Sequence, residues 1–159
     1  MRNSPSKGFT LIEIIIVIVV IGVLATLALP RITGQIEASR AAEAMNMFGT
    51  IRRAAINCVD TRSAAAGGEA AVANNCITWG SLEMTPPADP LFTYASGAAA
   101  GVMRFRAIRG TNSICMNITA LTGATTYSLN PDTAANPYRG MVNRTGAYLA
   151  GICTANGPM

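Results

Sequence analysis

From Phe9 to Leu29 the chain runs 21 residues with one ionisable side chain, Glu13. A helix of that length rises about 1.5 Å per residue and reaches roughly 31 Å, about the thickness of a bilayer's hydrocarbon core. The rest of the 159 residues read differently, rich in Gly, Asn, Thr and Ala with short apolar runs. The mean hydropathy of +0.34 therefore describes one membrane segment joined to a near-ordinary head. Ahead of the run, Met1 to Gly8 carries Arg2 and Lys7 and no acid, so the positive-inside rule keeps this end in the cytoplasm and exports the body. A cleaved secretory signal is the rival, with a small-x-small site at Thr26-Leu27-Ala28. The apolar run is long for that role, and an acid stands near its start.

Two absences narrow the chemistry. The chain has no histidine, and its only lysine is Lys7. No Ser-His-Asp or Cys-His pair, no histidine metal ligand and no Walker A lysine can be assembled from it. A structural, binding or assembly role is expected rather than an enzyme, with no catalytic residues and no cofactor.

Glu13 needs a partner, because a carboxylate one turn into a membrane helix costs a few kcal/mol on insertion scales. No cation stands among Thr10 to Leu29. Cleavage between Gly8 and Phe9 would free an amino terminus one helical turn from Glu13, able to pair with Glu13 of a neighbouring chain in a staggered array.

The segment Lys7-Gly8-Phe9-Thr10-Leu11-Ile12-Glu13, followed by an unbroken apolar stretch through Gly22 to Pro30, resembles the type IV pilin and type II secretion pseudopilin superfamily. The resemblance covers about the first 50 residues. It implies a leader 1–8 removed by prepilin peptidase at Lys7-Gly8-Phe9, N-methylation of Phe9, and an assembly helix over 9–30 in which Phe9 and Glu13 set register. It also implies that Gly22 and Pro30 bracket a stretch that loses helical structure in filaments. Gly lowers helix propensity and Pro removes a backbone hydrogen bond, which suits that role; a tolerated Gly and a Pro kink in a plain membrane helix would look the same. The implied partners are further copies in a helical filament, the peptidase/N-methyltransferase, an inner-membrane assembly platform and membrane lipid. The implied location is the inner membrane, N-terminus cytoplasmic, and then an extracellular pilus or periplasmic pseudopilus. The rivals are a pseudopilin and a non-assembling membrane-anchored extracytoplasmic binding domain.

Beyond Pro30 the helical pattern continues over 31–58. Ala44, Met47, Phe48, Ile51, Ala55 and Cys58 form an apolar face, and Glu43, Asn46, Thr50, Arg53 and Asn57 a polar one. Glu37 and Arg40 are spaced to pair, and Arg52 and Arg53 are expected in solvent or against a neighbouring subunit. A connecting loop region is expected over 59–101, interrupted by short helical turns. Antiparallel strands are expected over 102–159: Val102 to Ile108, Ser113 to Thr119, Thr125 to Leu129 and Tyr148 to Ile152, with turns at Gly110-Thr111-Asn112 and Gly123-Ala124. The fold class is α+β, a long N-terminal helix packed on a small antiparallel sheet, as in pilins.

The four cysteines, Cys58, Cys76, Cys115 and Cys153, allow three pairings, and the exported location favours disulfides. Cys58–Cys76 would tie the helix end to the loop that follows. Cys115–Cys153 would fasten the C-terminal segment to a strand, as the C-terminal disulfide loop does in many pilins. Spacings of 18, 39 and 38 residues do not fit a zinc knuckle, and the one acid of the Asn130 to Pro137 loop is few for calcium, so no metal is expected. Arg104, Arg106 and Arg109 form a small basic cluster without interleaved aromatics, which makes nucleic acid an unlikely partner. The sequons at Asn117 and Asn143 are discounted as chance matches, and Phe9 and Phe48 are too few aromatics for a conductive path along the helix.

Overall fold

The computed structural model describes residues 9–62, 67–89 and 91–143. The chain divides into two units, one up to Ile36 and one from Glu37 onward. Helix α1, Leu11–Arg62, enters both and is unbroken at positions 22 and 30.

In the first unit α1 is apolar all round. Its large side chains, with Phe9 ahead of it, are 44–79% exposed from Phe9 to Ile36. Thr10 supplies the first carbonyls of the helix, accepting from Glu13 N at 3.1 Å and Ile14 N at 3.4 Å.

In the second unit the pattern turns amphipathic. Ala41, Ala44, Phe48, Ile51, Ala55, Cys58 and Val59 are buried at spacings of three and four. Glu43, Asn46, Thr50, Arg53 and Asn57 are exposed, as their spacing predicts. Met47, expected on the apolar face, is only half-buried. The helix ends at Arg62, four residues past the expected end at Cys58.

A four-stranded antiparallel sheet in the order β1-β2-β3-β4 completes this unit: β1 Thr93–Ala99, β2 Val102–Arg109, β3 Asn112–Thr119 and β4 Thr125–Asn130. Neighbours in sequence are neighbours in the sheet, joined by two-residue turns between β1 and β2 and between β2 and β3 and by residues 120–124 between β3 and β4. Gly110 opens the two-residue β2–β3 turn at φ 57°. Ala100 and Gly101, at φ 50° and 80°, make the β1–β2 turn, the pairing of two positive φ values that suits a right-twisted hairpin. The inner face carries Tyr94, Met103, Phe105, Ala107, Ile114, Met116, Ile118, Tyr127 and Leu129, which join the α1 side chains in one core.

Two features differ from the expectations. The 59–101 region contains β1, and the expected helical interruption is α2, Glu69–Asn75. β1 reads Thr-Tyr-Ala-Ser-Gly-Ala-Ala, with too few large side chains to show alternation, and its pairing with β2 makes it a strand. β3 is buried on both faces rather than one. It lies between β2 and β4, and its outward side chains Ser113, Cys115 and Asn117 are buried as well as its inward ones. The expected strand Tyr148 to Ile152, the leader 1–8 and Cys153 lie outside the described residues.

Candidate functional site

The candidate assembly segment begins at Phe9. Thr10 precedes the helix and Glu13 occupies its third position, the Thr-x-x-Glu spacing of a capping box. The first-turn carboxylate also faces the positive end of the helix dipole. Among the described residues Glu13 has no ion-pair partner, and its side chain is exposed. Gly22 lies within α1 with open space where a Cβ would project. Lys7 and Gly8 lie outside the described residues.

What this segment can do follows from exposure. Covering a large apolar side chain is worth about 1.5–3 kcal/mol, and isolated soluble monomers rarely expose patches beyond a few hundred Å². A helix this apolar on every side needs lipid or other apolar helices around it.

The head is stapled and locked by polar contacts. Cys58 at the end of α1 is joined to Cys76 after α2, the first of the two expected disulfides. Cys115 is also disulfide-bonded, and Cys153, its expected partner, lies outside the described residues. Glu37 pairs with Arg40, as their spacing suggests, and also accepts from Arg109 Nη1 at 3.1 Å and 2.8 Å. Arg109 Nη1 lies 3.4 Å from the hydroxyl of buried Tyr138. Burial alone would raise the Glu37 pKa; the hydrogen bonds and charges of Arg109 and Arg40 outweigh it and hold the carboxyl below its ordinary value.

The expected basic cluster is therefore divided. Arg109 is committed to Glu37, while Arg104 and Arg106 lie on the other sheet face. Arg53 is exposed, as expected, and Arg52 Nε donates to Thr125 Oγ1 at 2.8 Å. Asp89 accepts from Leu91 N at 2.7 Å and Tyr94 Oη at 3.1 Å; burial first, and then Asp89, push the Tyr94 phenol well above its usual range.

In the oxygen-rich loop, Asp132 pairs with Arg139 at 3.2 Å, and Asn136 donates to Pro131 O at 2.9 Å while accepting from Tyr138 N at 3.0 Å. Those oxygens serve the loop itself. Among the described residues no group of three metal-ligating side chains comes together.

Comparison with known proteins places the N-terminal segment in a class. Residues 3–29 match the prokaryotic N-terminal methylation motif, so the chain carries a prepilin-type N-terminus. Over 57 residues the chain is 43% identical to the type IV major fimbrial protein FimA of Dichelobacter nodosus, which is 36% of each chain. Over 49 residues it is 47% identical to the fimbrial protein EcpC of Eikenella corrodens, 31% of this chain and 32% of that one. The chain thus covers about a third of the length of these relatives. No solved structure gives a significant match.

Proposed function

We propose that this protein is a structural subunit of a type IV pilus, made as a membrane-anchored precursor and drawn into a filament. The observation that carries this reading is the methylation-motif match over residues 3–29, which spans both the Gly8–Phe9 junction and Glu13. The apolar surface from Phe9 to Ile36 supports it, since lipid can cover that surface before assembly and the same helices of other subunits afterwards. The fimbrial relatives, matched over 57 and 49 residues, support a filament subunit.

In this reading prepilin peptidase cuts after Gly8 and methylates the new amino group of Phe9. The amino group then meets Glu13 of an adjacent subunit. The pair relieves a carboxylate that is costly within the apolar end of a membrane helix, and it selects one axial stagger. Gly22 and Pro30 bracket the stretch where the helix opens as subunits pack. The inner-membrane assembly platform and neighbouring copies are the working partners, and adhesion, twitching motility or DNA uptake the possible tasks of the filament. Nucleic acid is a poor direct partner for the head. Side chains 9–159 carry ten arginines against eight acids, or +2, and Arg109 is already paired.

Glu13→Ala in a piliated host tests the assembly step. The variant is expected to insert in the membrane at normal levels and to yield few filaments on shearing. An undiminished filament yield would refute the pairing role. Wild-type subunits that never appear in sheared surface material, but form short periplasmic fibres with a secretion apparatus, would identify a pseudopilin.

A further inference from the structure

Between the last turns of α1 and the turn made by residues 78–84 lies a cleft of about 380 Å³. Its α1 wall carries Arg53, Asn57, Thr61 and Arg62, and its other wall Ser81 and Glu83. Both walls are fixed. Cys58 in α1 is tied to Cys76, which stands just ahead of the turn. The N–H groups of the turn are spent within it: Ser81 N on Thr78 Oγ1 at 3.1 Å, Leu82 N on Thr78 O at 3.1 Å, Glu83 N on Gly80 O at 3.2 Å and Met84 N on Trp79 O at 3.0 Å.

The charges of the cleft, by contrast, are unspent. Among the described residues Arg53, Arg62 and Glu83 make no ion pair. Glu83 is held at φ 52°, a left-handed conformation that costs energy for a residue with a Cβ and that gathers at binding sites. Two guanidinium groups against one carboxylate favour an anionic ligand. The hydroxyls narrow its class. Thr61 donates to Asn57 O at 2.9 Å and Ser81 to Thr78 O at 2.8 Å, so both keep lone pairs rather than protons for a ligand. With the Glu83 carboxylate, the cleft therefore sets acceptors beside its cations.

A phosphate or a bare carboxylate brings no donor to those acceptors. A peptide finds no free backbone N–H on either wall for its carbonyls. A sugar acid brings both kinds of group, carboxylates for the guanidiniums and ring hydroxyls that donate. Arg53 and Arg62 stand about 14 Å apart along α1, which suits a chain with repeated carboxylates rather than a single sugar. We propose that this cleft binds an acidic polysaccharide lying along α1, its carboxylates on Arg53 and Arg62 and its hydroxyls donating to Glu83, Thr61 and Ser81. The amide of Asn57, donor and acceptor at once, serves either group. The site belongs to the head alone and does not depend on N-terminal processing or filament assembly.

Isothermal titration of the detergent-solubilised full-length chain with a galacturonate tetramer tests this. The controls are the same tetramer with its carboxyls methyl-esterified, a glutamate tetrapeptide and inorganic phosphate. The free-acid tetramer is expected to bind tighter than each control by about ten-fold or more. The double variant Arg53→Gln/Arg62→Gln is expected to lose that advantage. Glu83→Gly, which suits the left-handed φ, is expected to weaken binding of the tetramer by a few-fold; plain charge attraction predicts the reverse, since an acid has been removed. All three positions are exposed, so the variants keep the fold. No binding of the tetramer, equal binding of its esterified form, or a tetrapeptide or phosphate bound as tightly would overturn the proposal. So would indifference to the arginine pair, or unchanged or tighter binding by Glu83→Gly.

Discussion

Glu37 on α1 and Arg109 at the end of β2 are 72 residues apart in sequence and share two hydrogen bonds, of 3.1 Å and 2.8 Å. The contact joins the first turn of the head's helix to the tip of the β2–β3 hairpin. Arg40 reaches the same carboxylate from one turn further along α1. One acid thus holds two guanidinium groups, which makes the start of the head's helix sensitive to protonation.

The sign of that sensitivity is fixed. Glu37 titrates below its ordinary value of about 4.3 in the folded head. Its contribution to stability is present above that ordinary value and is lost as pH falls through the lower folded-state value. Thermal melts of the wild type between pH 7 and pH 3 are expected to fall more steeply below about pH 4.3 than those of Glu37→Gln. Parallel curves for the two proteins would show that Glu37 carries none of the acid lability. The effect is modest, because the pair is partly exposed and screened by salt.

Phe48 is the centre of the helix–sheet contact. It is fully buried, edge-on to Tyr94 with centroids 6.3 Å apart and 6.4 Å from Tyr127. Phe48→Ala should cost about 3–5 kcal/mol in denaturant unfolding, because it leaves a cavity that two half-buried tyrosines cannot fill. A loss below about 1 kcal/mol would mean that the helix and sheet do not share this core.

Position 100 offers the opposite test. Ala100 is exposed and held at φ 50°, where an L residue with a Cβ is strained. Ala100→Asn creates Asn-Gly in a turn that favours it, and is expected to raise stability by about 0.5–1 kcal/mol. Gly101→Ala is expected to destabilise, since φ is 80° and the new Cβ would fall 2.5 Å from Glu69 Cγ. Equal melting temperatures for the wild type and both variants would show that the turn has another conformation.

The Cys58–Cys76 bridge closes a sequence separation of 18 and lies in the core. Replacing both cysteines by Ser is expected to lower stability by about 2–4 kcal/mol, with the loss concentrated in protection of α2. Hydrogen exchange resolved by peptide would show it, and uniform loss across the head would argue that α2 is not the element being tethered.

How much of this was legible depends on how loudly side chains report their surroundings. The 3.6 period from Ala44 to Cys58 placed α1's buried face because large and small apolar residues alternate with polar ones there. Met103, Phe105 and Ala107 announced β2 in the same way. β1 was silent, since Ala, Ser and Gly fit strand or loop equally, and its state is decided by pairing with β2. The Glu37–Arg109 contact was equally hidden, because Glu37 had a sufficient partner in Arg40 and nothing local points to a residue 72 positions away. At the N-terminus the legible part was chemical rather than structural: a lone acid in an apolar run demands an explanation, and cleavage at the Gly8–Phe9 junction is the one we propose.

The most direct test of the central claim is the mass of the mature N-terminus. The full chain is expressed with and without a prepilin peptidase, and the terminal peptide is identified by mass spectrometry. With the peptidase the chain should begin at Phe9 and carry one added methyl group on its amino nitrogen; without it the leader Met1 to Gly8 should remain. A chain left uncut by the peptidase, or one that begins at Leu29 in either case, would contradict the pilin account and leave a secretory signal or a plain anchor in its place.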